Sequence, residues 1–261
     1  MSGARGFGVA AGLDPDVATP LAARCEELGY TSMWANDHPA ASGLETLAAF
    51  AEGSAALQLG VGVLALDRHP PAAIDEQIDS LGLDRSRLLI GVGAGFSKKP
   101  LTTMREAHDE LRERIPGVKL ILAAMGPKMA ALAGAAYDGA FFNWVTPDYA
   151  AAARGNVERG AAEAGREPPR VYGYVRTSVG ADAETRLAKE EGFYRDLHDG
   201  YRRQFERLDQ PPGTVGVAAE NPDDADGMLA AYAALDTVVV RGLASARLET
   251  MDRVATAAAP R

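Results

Sequence analysis

Residues 57–95 read LQLGVGVLAL (57–66), DRHP, PAAIDEQIDSLG (71–82), LDRS and RLLIGVGAG (87–95). An apolar run bearing glycines, a proline-started helical stretch and a second apolar run make one strand–helix–strand unit. Neither run alternates polar with apolar residues, which is the pattern of a parallel strand buried on both faces. The same unit recurs outward in both directions. Upstream lie GFGVA (6–10) and SMWA (32–35) as strands, with helices in PLAARCEELGY, started by Asp14-Pro15-Asp16 and ending at Gly29, and in LETLAAFAEGSAA. Downstream, VKLILAA (118–124), DGAFFNW, RVYGYVRTSVG and LDTVVVRGL (235–243) read as strands. TTMREAHDELRERIPG, GPKMAALAGAA, PDYAAAARGNVERGAAEAGR, a long helical region over about 182–209 and a last helix over about 245–258 lie among them.

Eight strands with interleaved helices predict a (β/α)8 TIM barrel in a single domain over residues 1–261; an open doubly wound sheet is the competing arrangement, and the strand count favours the barrel. In both, a ligand binds at the carboxyl ends of the strands. The least regular part is 192–227, with Gln210-Pro211-Pro212-Gly213, expected as a mobile excursion before the eighth strand, serving as a lid or a subunit contact.

The chain has 261 residues, 47% hydrophobic and 24% charged, with a net charge of -9, enough apolar sequence for one large core. Lys98-Lys99 and Arg202-Arg203 are too small as basic clusters to follow a nucleic-acid backbone, so no nucleic-acid partner is expected. Cys25 is the only cysteine, which precludes an intramolecular disulfide. No membrane span and no signal-peptide pattern are seen, and a cytoplasmic location is expected. The four histidines, His38, His69, His108 and His198, fall at unrelated positions, so no metal site is expected.

The strand ends carry the candidate chemistry. SMWA stops in Asn36-Asp37-His38-Pro39, three polar side chains at the mouth of an apolar strand. His38 suits proton transfer or polar stabilisation near neutral pH, or else caps the following turn while Asp37 bonds nearby backbone. Gly60-Val61-Gly62-Val63 and Gly91-Val92-Gly93 remove side chains from one strand face, leaving room for a flat ligand or for close strand–helix packing. Arg68 and His69 read equally as solvated loop residues or ligand contacts. Ala124-Met125-Gly126-Pro127 leads into a helix whose first free N–H groups and dipole form a ready anion site, to which Lys128 can add a cation. Asn143, Trp144 and Thr146 end the sixth strand and suit a planar heterocycle.

The order and spacing of ARCEELGYTSMWANDH, LQLGVGVLALDRHPP, RLLIGVGAGF, LAAMGPKMAALAGAAYDGAFFNW and LDTVVVRGL resemble the luciferase-like monooxygenase superfamily. The likeness is greatest to its coenzyme F420-dependent branch, exemplified by methylenetetrahydromethanopterin reductase. The resemblance implies an oxidoreductase that moves a hydride between deazaflavin and a small organic substrate at the barrel's C-terminal face, with FMN as the alternative cofactor. It implies His38 and Asp37 as catalytic residues and a non-prolyl cis peptide at Gly62-Val63 behind the ring. Cofactor contacts are implied at Asp37, Gly62, Val63, Gly93 and Asn143, with a phosphate cradle at Ala124, Met125, Gly126 and Pro127. Phe96 stands where sugar-phosphate dehydrogenases of the branch carry a glutamate, and the segment Phe96 to Val118 is a shortened insertion after strand 4, leaving the cofactor partly uncovered. An FMN-dependent monooxygenase and a non-catalytic flavin-binding barrel remain as alternatives. A homodimer is compatible with the Ala, Gly and Leu content of the second and third helices.

Overall fold

The computed structural model describes residues 3–261. Eight parallel strands close into a ring: β1 (Ala4–Ala10), β2 (Ser32–Asn36), β3 (Gln58–Ala65), β4 (Leu88–Gly93), β5 (Lys119–Ala123), β6 (Gly139–Asn143), β7 (Arg170–Val179) and, last, β9 (Thr237–Gly242). Each pairs with its neighbour in sequence, β7 pairs with β9, and β9 closes on β1. The helices between them are α1 (Pro15–Glu27), α2 (Gly43–Gly53), α3 (Pro71–Ser80), α4 (Pro100–Arg114), α5 (Pro127–Ala136) and α6 (Pro147–Glu163). The barrel is therefore as expected from the repeats.

The segment after β7 differs from its sequence reading. The helical region over 182–209 is two helices, α7 (Ala183–Leu197) and α8 (Asp199–Leu208), broken at His198, whose backbone is extended. The irregular stretch that follows holds a short strand β8 (Val217–Ala219), added to the end of β7 outside the ring, and helix α9 (Ala225–Ala230). The chain ends with α10 (Leu248–Ala257). Three residues were too few for an alternation to show in β8. The helix break arises because the His198 ring accepts a hydrogen bond from the Gly200 N–H through Nδ1 (2.9 Å), capping α8 anew.

Period-two alternation divides the strands between two cores. Outward residues such as Val9, Met33, Leu59, Ile90, Leu120, Phe142, Val175 and Val240 pack beneath the helices. Inward residues Trp34, Leu89, Ile121, Phe141, Tyr172, Tyr174 and Val239 fill the lumen. A Cβ on Gly60 would lie 2.3 Å from the Trp34 indole, and one on Gly91 would lie 2.3 Å from the Val61 carbonyl oxygen. These glycines admit protein groups, the lumen indole and a bulge of β3, so at Gly60 and Gly91 the space is taken by neighbouring strands, neither by a ligand nor by a helix.

Candidate active site at the barrel mouth

One step above the aromatic lumen, inward positions at the strand ends form the top layer: Asn36 (β2), Gly62 (β3), Gly93 (β4), Ala123 (β5), Asn143 (β6), Arg176 (β7) and Arg241 (β9). The layer is lopsided. Its β3–β5 side carries only small groups, with Gly62, Val63 and Ala123 half-buried; the other side carries two amides and two guanidiniums. The Gly62–Val63 peptide is cis, and the β3–β4 register shifts between Val61 and Leu64. Val63 leans over β4, where a Cβ on Gly93 would lie 3.3 Å from Val63 Cγ2. Beneath Gly62 lie the Tyr174 hydroxyl and the Phe141 ring, 3.0 and 3.2 Å from where its Cβ would be.

Arg176 and Arg241 are register partners on adjacent strands. Arg241 donates from Nε to Asn36 Oδ1 (3.0 Å), and Arg176 donates from Nη1 to Asn143 Oδ1. The Arg176 guanidinium lies over the Trp144 ring, 4.2 Å from its centroid, and 4.9 Å from that of Tyr194. Trp144 takes a left-handed backbone conformation (φ 53°), uncommon for a bulky residue. Burial, then the neighbouring Arg176, lowers the pKa of Arg241. Burial likewise raises the Tyr174 phenol above its ordinary range and pushes Tyr201 up to about 12. Neither arginine was singled out from sequence. The available signal was a single cation near the carboxyl end of each of two apolar strands, RVYGYVRTSVG and LDTVVVRGL.

Asp37 follows β2 with its side chain 1% exposed. Its Oδ1 accepts the Gly43 N–H (2.9 Å), and its Oδ2 accepts from Arg68 Nη2 (2.7 Å) and meets His69 Nε2 at 2.9 Å. The carboxylate thus ties the end of β2 to the start of α2 and to the turn after β3, and Arg68 and His69 both serve it. His38 is half-buried, and its Nδ1 accepts the Ala40 N–H at 3.2 Å. That bond makes Nδ1 the acceptor, so the neutral ring carries its proton on Nε2, the nitrogen left to meet a ligand.

At β5 the cap of α5 is Gly126, whose Cβ would meet only Arg207 Nη2, at 4.0 Å. Space above this helix start is therefore open, with exposed Lys128 in the first turn and Arg207 beside it. Arg207 belongs to α8, which crosses the mouth. Its Nη1 donates to the Met125 carbonyl (2.8 Å), Gln204 Nε2 to the Trp144 carbonyl (2.9 Å), and the Tyr201 hydroxyl accepts from Asn143 Nδ2 (3.3 Å). The Met125 carbonyl also accepts from Tyr149 (2.9 Å). The stripe of Tyr201, Gln204, Phe205 and Leu208 faces the barrel. The expected excursion before the last barrel strand is thus a roof, and it covers the side that the short β4–β5 connection leaves open. Phe96 in that connection is 82% exposed, with its ring 5.9 Å from His198. Among the described residues no group of histidine, cysteine and carboxylate side chains could hold a metal ion, and no helix is long and apolar enough to cross a membrane.

A profile of the luciferase-like monooxygenase family matches residues 2–116 and 112–256. The chain is 27% identical over 195 residues to a 5,10-methylenetetrahydromethanopterin reductase of Methanolobus tindarius, a match spanning 60% of each protein. The barrel superposes on an F420-dependent secondary alcohol dehydrogenase in complex with an F420–acetone adduct (TM-score 0.75, 18% identity, 100% of this chain and 98% of that one). It also superposes on the oxygenating constituent of 3,6-diketocamphane monooxygenase from the CAM plasmid of Pseudomonas putida, in complex with FMN (TM-score 0.65, 14% identity, 100% and 99%). At these identities the two structures establish the shared fold.

Proposed function

The chain belongs to the luciferase-like monooxygenase family, and from that premise we propose that it is a coenzyme F420-dependent oxidoreductase transferring a hydride between the deazaflavin and a small organic substrate. The observation carrying this reading is the lopsided top layer, small over β3–β5, where Gly62, Val63 and Ala123 are half-buried, and hydrogen-bonding over β6, β7, β9 and β2. A flat ring with a carbonyl-rich edge fits such a layer, and the open cap at Gly126 fits its phosphoryl tail. The residues present therefore fit the group.

When bound, the deazaflavin supplies hydride donation or acceptance, and the protein supplies orientation and exclusion of water. Gly62, Val63 and Gly93 would form the face that holds the ring, and Asn143, whose Oδ1 is taken by Arg176, would offer its edge a hydrogen bond from Nδ2. Ala124, Met125, Gly126 and Pro127 shape the cradle, where the α5 N-terminus and Arg207 hold negative charge. His38 presents Nε2–H as the polar or proton-transferring group near the reacting centre. Asp37, with three donors on its carboxylate, acts as a positioning residue that keeps His38 and the β3 turn in place.

FMN is the second candidate, in a monooxygenase, supported by the FMN-bound neighbour of the same fold. The test is titration of purified protein with oxidised and reduced F420 and with FMN. Micromolar F420 binding with no FMN binding is the expected result, and the reverse overturns the cofactor assignment. Loss of turnover in His38→Ala, with cofactor affinity kept, is expected for the assigned role.

A further inference from the structure

The cluster around Arg176 is rich in donors and short of acceptors. Arg176 and Arg241 are 2% and 8% exposed, share one layer, and form no ion pair with a carboxylate among the described residues. The only carboxylate whose field is registered at Arg241 is Glu190, half-buried on α7. Three buried donors around the Arg176 guanidinium have no hydrogen-bond partner: Arg176 Nε, the Tyr174 hydroxyl and Trp144 Nε1. The neighbouring amide oxygens are already taken, Asn36 Oδ1 by Arg241 and Asn143 Oδ1 by Arg176. The remaining groups facing the pair, Tyr194 and Tyr201, are phenols.

Two buried cations with only neutral acceptors are costly, because desolvation is offset only by an opposite charge with good geometry. We infer that Arg176 and Arg241, with the Tyr174 hydroxyl and Trp144 Nε1, form a recognition site for an organic oxyanion, a carboxylate or a phosphate ester, entering the barrel mouth. Guanidiniums match such groups bidentately, and the amides of Asn36 and Asn143 hold the two forks in place until the anion arrives. Asn36 and Asn143 are half-buried, so solvent reaches the layer. The arginines, on β7 and β9, face the small-residue side of the layer, and the Tyr174 hydroxyl reaches to Gly62 on that side. The site's anion is therefore assigned to the substrate, an assignment that rests on the oxidoreductase reading, whereas the site itself does not.

The test uses the full chain without cofactor. Benzoate and inorganic phosphate are titrated at constant ionic strength against chloride, followed by calorimetry and by tryptophan emission, since Trp144 stacks on Arg176. Saturable binding of at least one oxyanion is expected, and which one binds identifies the group. Arg176→Gln and Arg241→Gln should each weaken it at least about tenfold, with partial recovery in Arg176→Lys. Should a glutamine variant fold poorly, a rise in melting temperature with the oxyanion and none with chloride, equal in wild type and in Gly126→Ala so that the α5 start is not its source, serves as the second readout; a rise lost in Gly126→Ala overturns the site. No saturable binding of either anion, or binding undiminished in both glutamine variants, overturns the site. Because neither F420 nor FMN is present, failure of the cofactor assignment leaves this result standing.

Discussion

Arg207 in α8 donates from Nη1 to the carbonyl of Met125, 2.8 Å away, so the roof of the barrel is fastened to the residue just before the α5 cap. A side chain 82 positions distant in sequence thereby joins α8 to the start of α5 in one contact.

Replacing Arg207 by alanine should loosen both partners. Deazaflavin affinity is expected to fall about five- to tenfold, the size of one charge-assisted contact, with faster amide exchange across residues 200–208. Titration and hydrogen exchange on the same preparation check it. Gly126→Ala is the companion variant: its new Cβ meets only Arg207 Nη2, at 4.0 Å, so weaker cofactor binding with unchanged melting temperature is expected.

Asp37→Asn places an amide where three donors converge on a carboxylate 1% exposed. The variant is expected to lose on the order of 2–3 kcal/mol of stability, the cost of replacing a buried, charge-assisted acceptor by an amide, as a lower denaturant midpoint. Stability within 0.5 kcal/mol of wild type, a change typical of surface substitutions, would count against the positioning role.

The two glycines of β3 should separate folding from function. Gly60→Ala drives a methyl to 2.3 Å from the Trp34 indole and is expected to cost about 2–3 kcal/mol through overpacking. Gly62→Ala meets the Tyr174 hydroxyl at 3.0 Å at the half-buried mouth. It is expected to melt within a few degrees of wild type while binding cofactor much more weakly.

Acidification should loosen α8. Burial, reinforced by Arg203 and opposed by Asp199, lowers the His198 pKa below its ordinary value. The unfolded chain then binds the proton more readily, so stability is unaffected well above pH 6.5 and declines as the pH falls below it. Protonation also removes the Nδ1 acceptor from the Gly200 N–H. Amide protection at residues 200–204, measured relative to the intrinsic exchange rate at each pH, is expected to fall between pH 7.5 and 5.5 in wild type. It should not do so in His198→Asn, which keeps a capping acceptor without a titratable group.

The strand ends show how far local sequence reached and where it stopped. Asn36-Asp37-His38 announced a polar strand end, and Gly126-Pro127 a helix start, because caps and strand breaks are written in adjacent residues. That Asp37 serves Arg68 and His69 was not legible, since the partners lie 31 and 32 positions away. The glycines misled in part: a missing Cβ states that something approaches, and only the packed lumen shows that at Gly60 it is Trp34.

From the sequence alone came the eight repeats, their parallel order and the rim that carries the candidate site, since apolar runs and helix signals are short-range and each repeat carries its own. The tertiary structure alone decided that α8 becomes the roof and that Asn36, Asn143, Arg176 and Arg241 meet in one layer. Closing the ring pairs β1 with β9, whose register partners Ala4 and Thr237 stand 233 residues apart, and no local pattern encodes which inward side chains will touch.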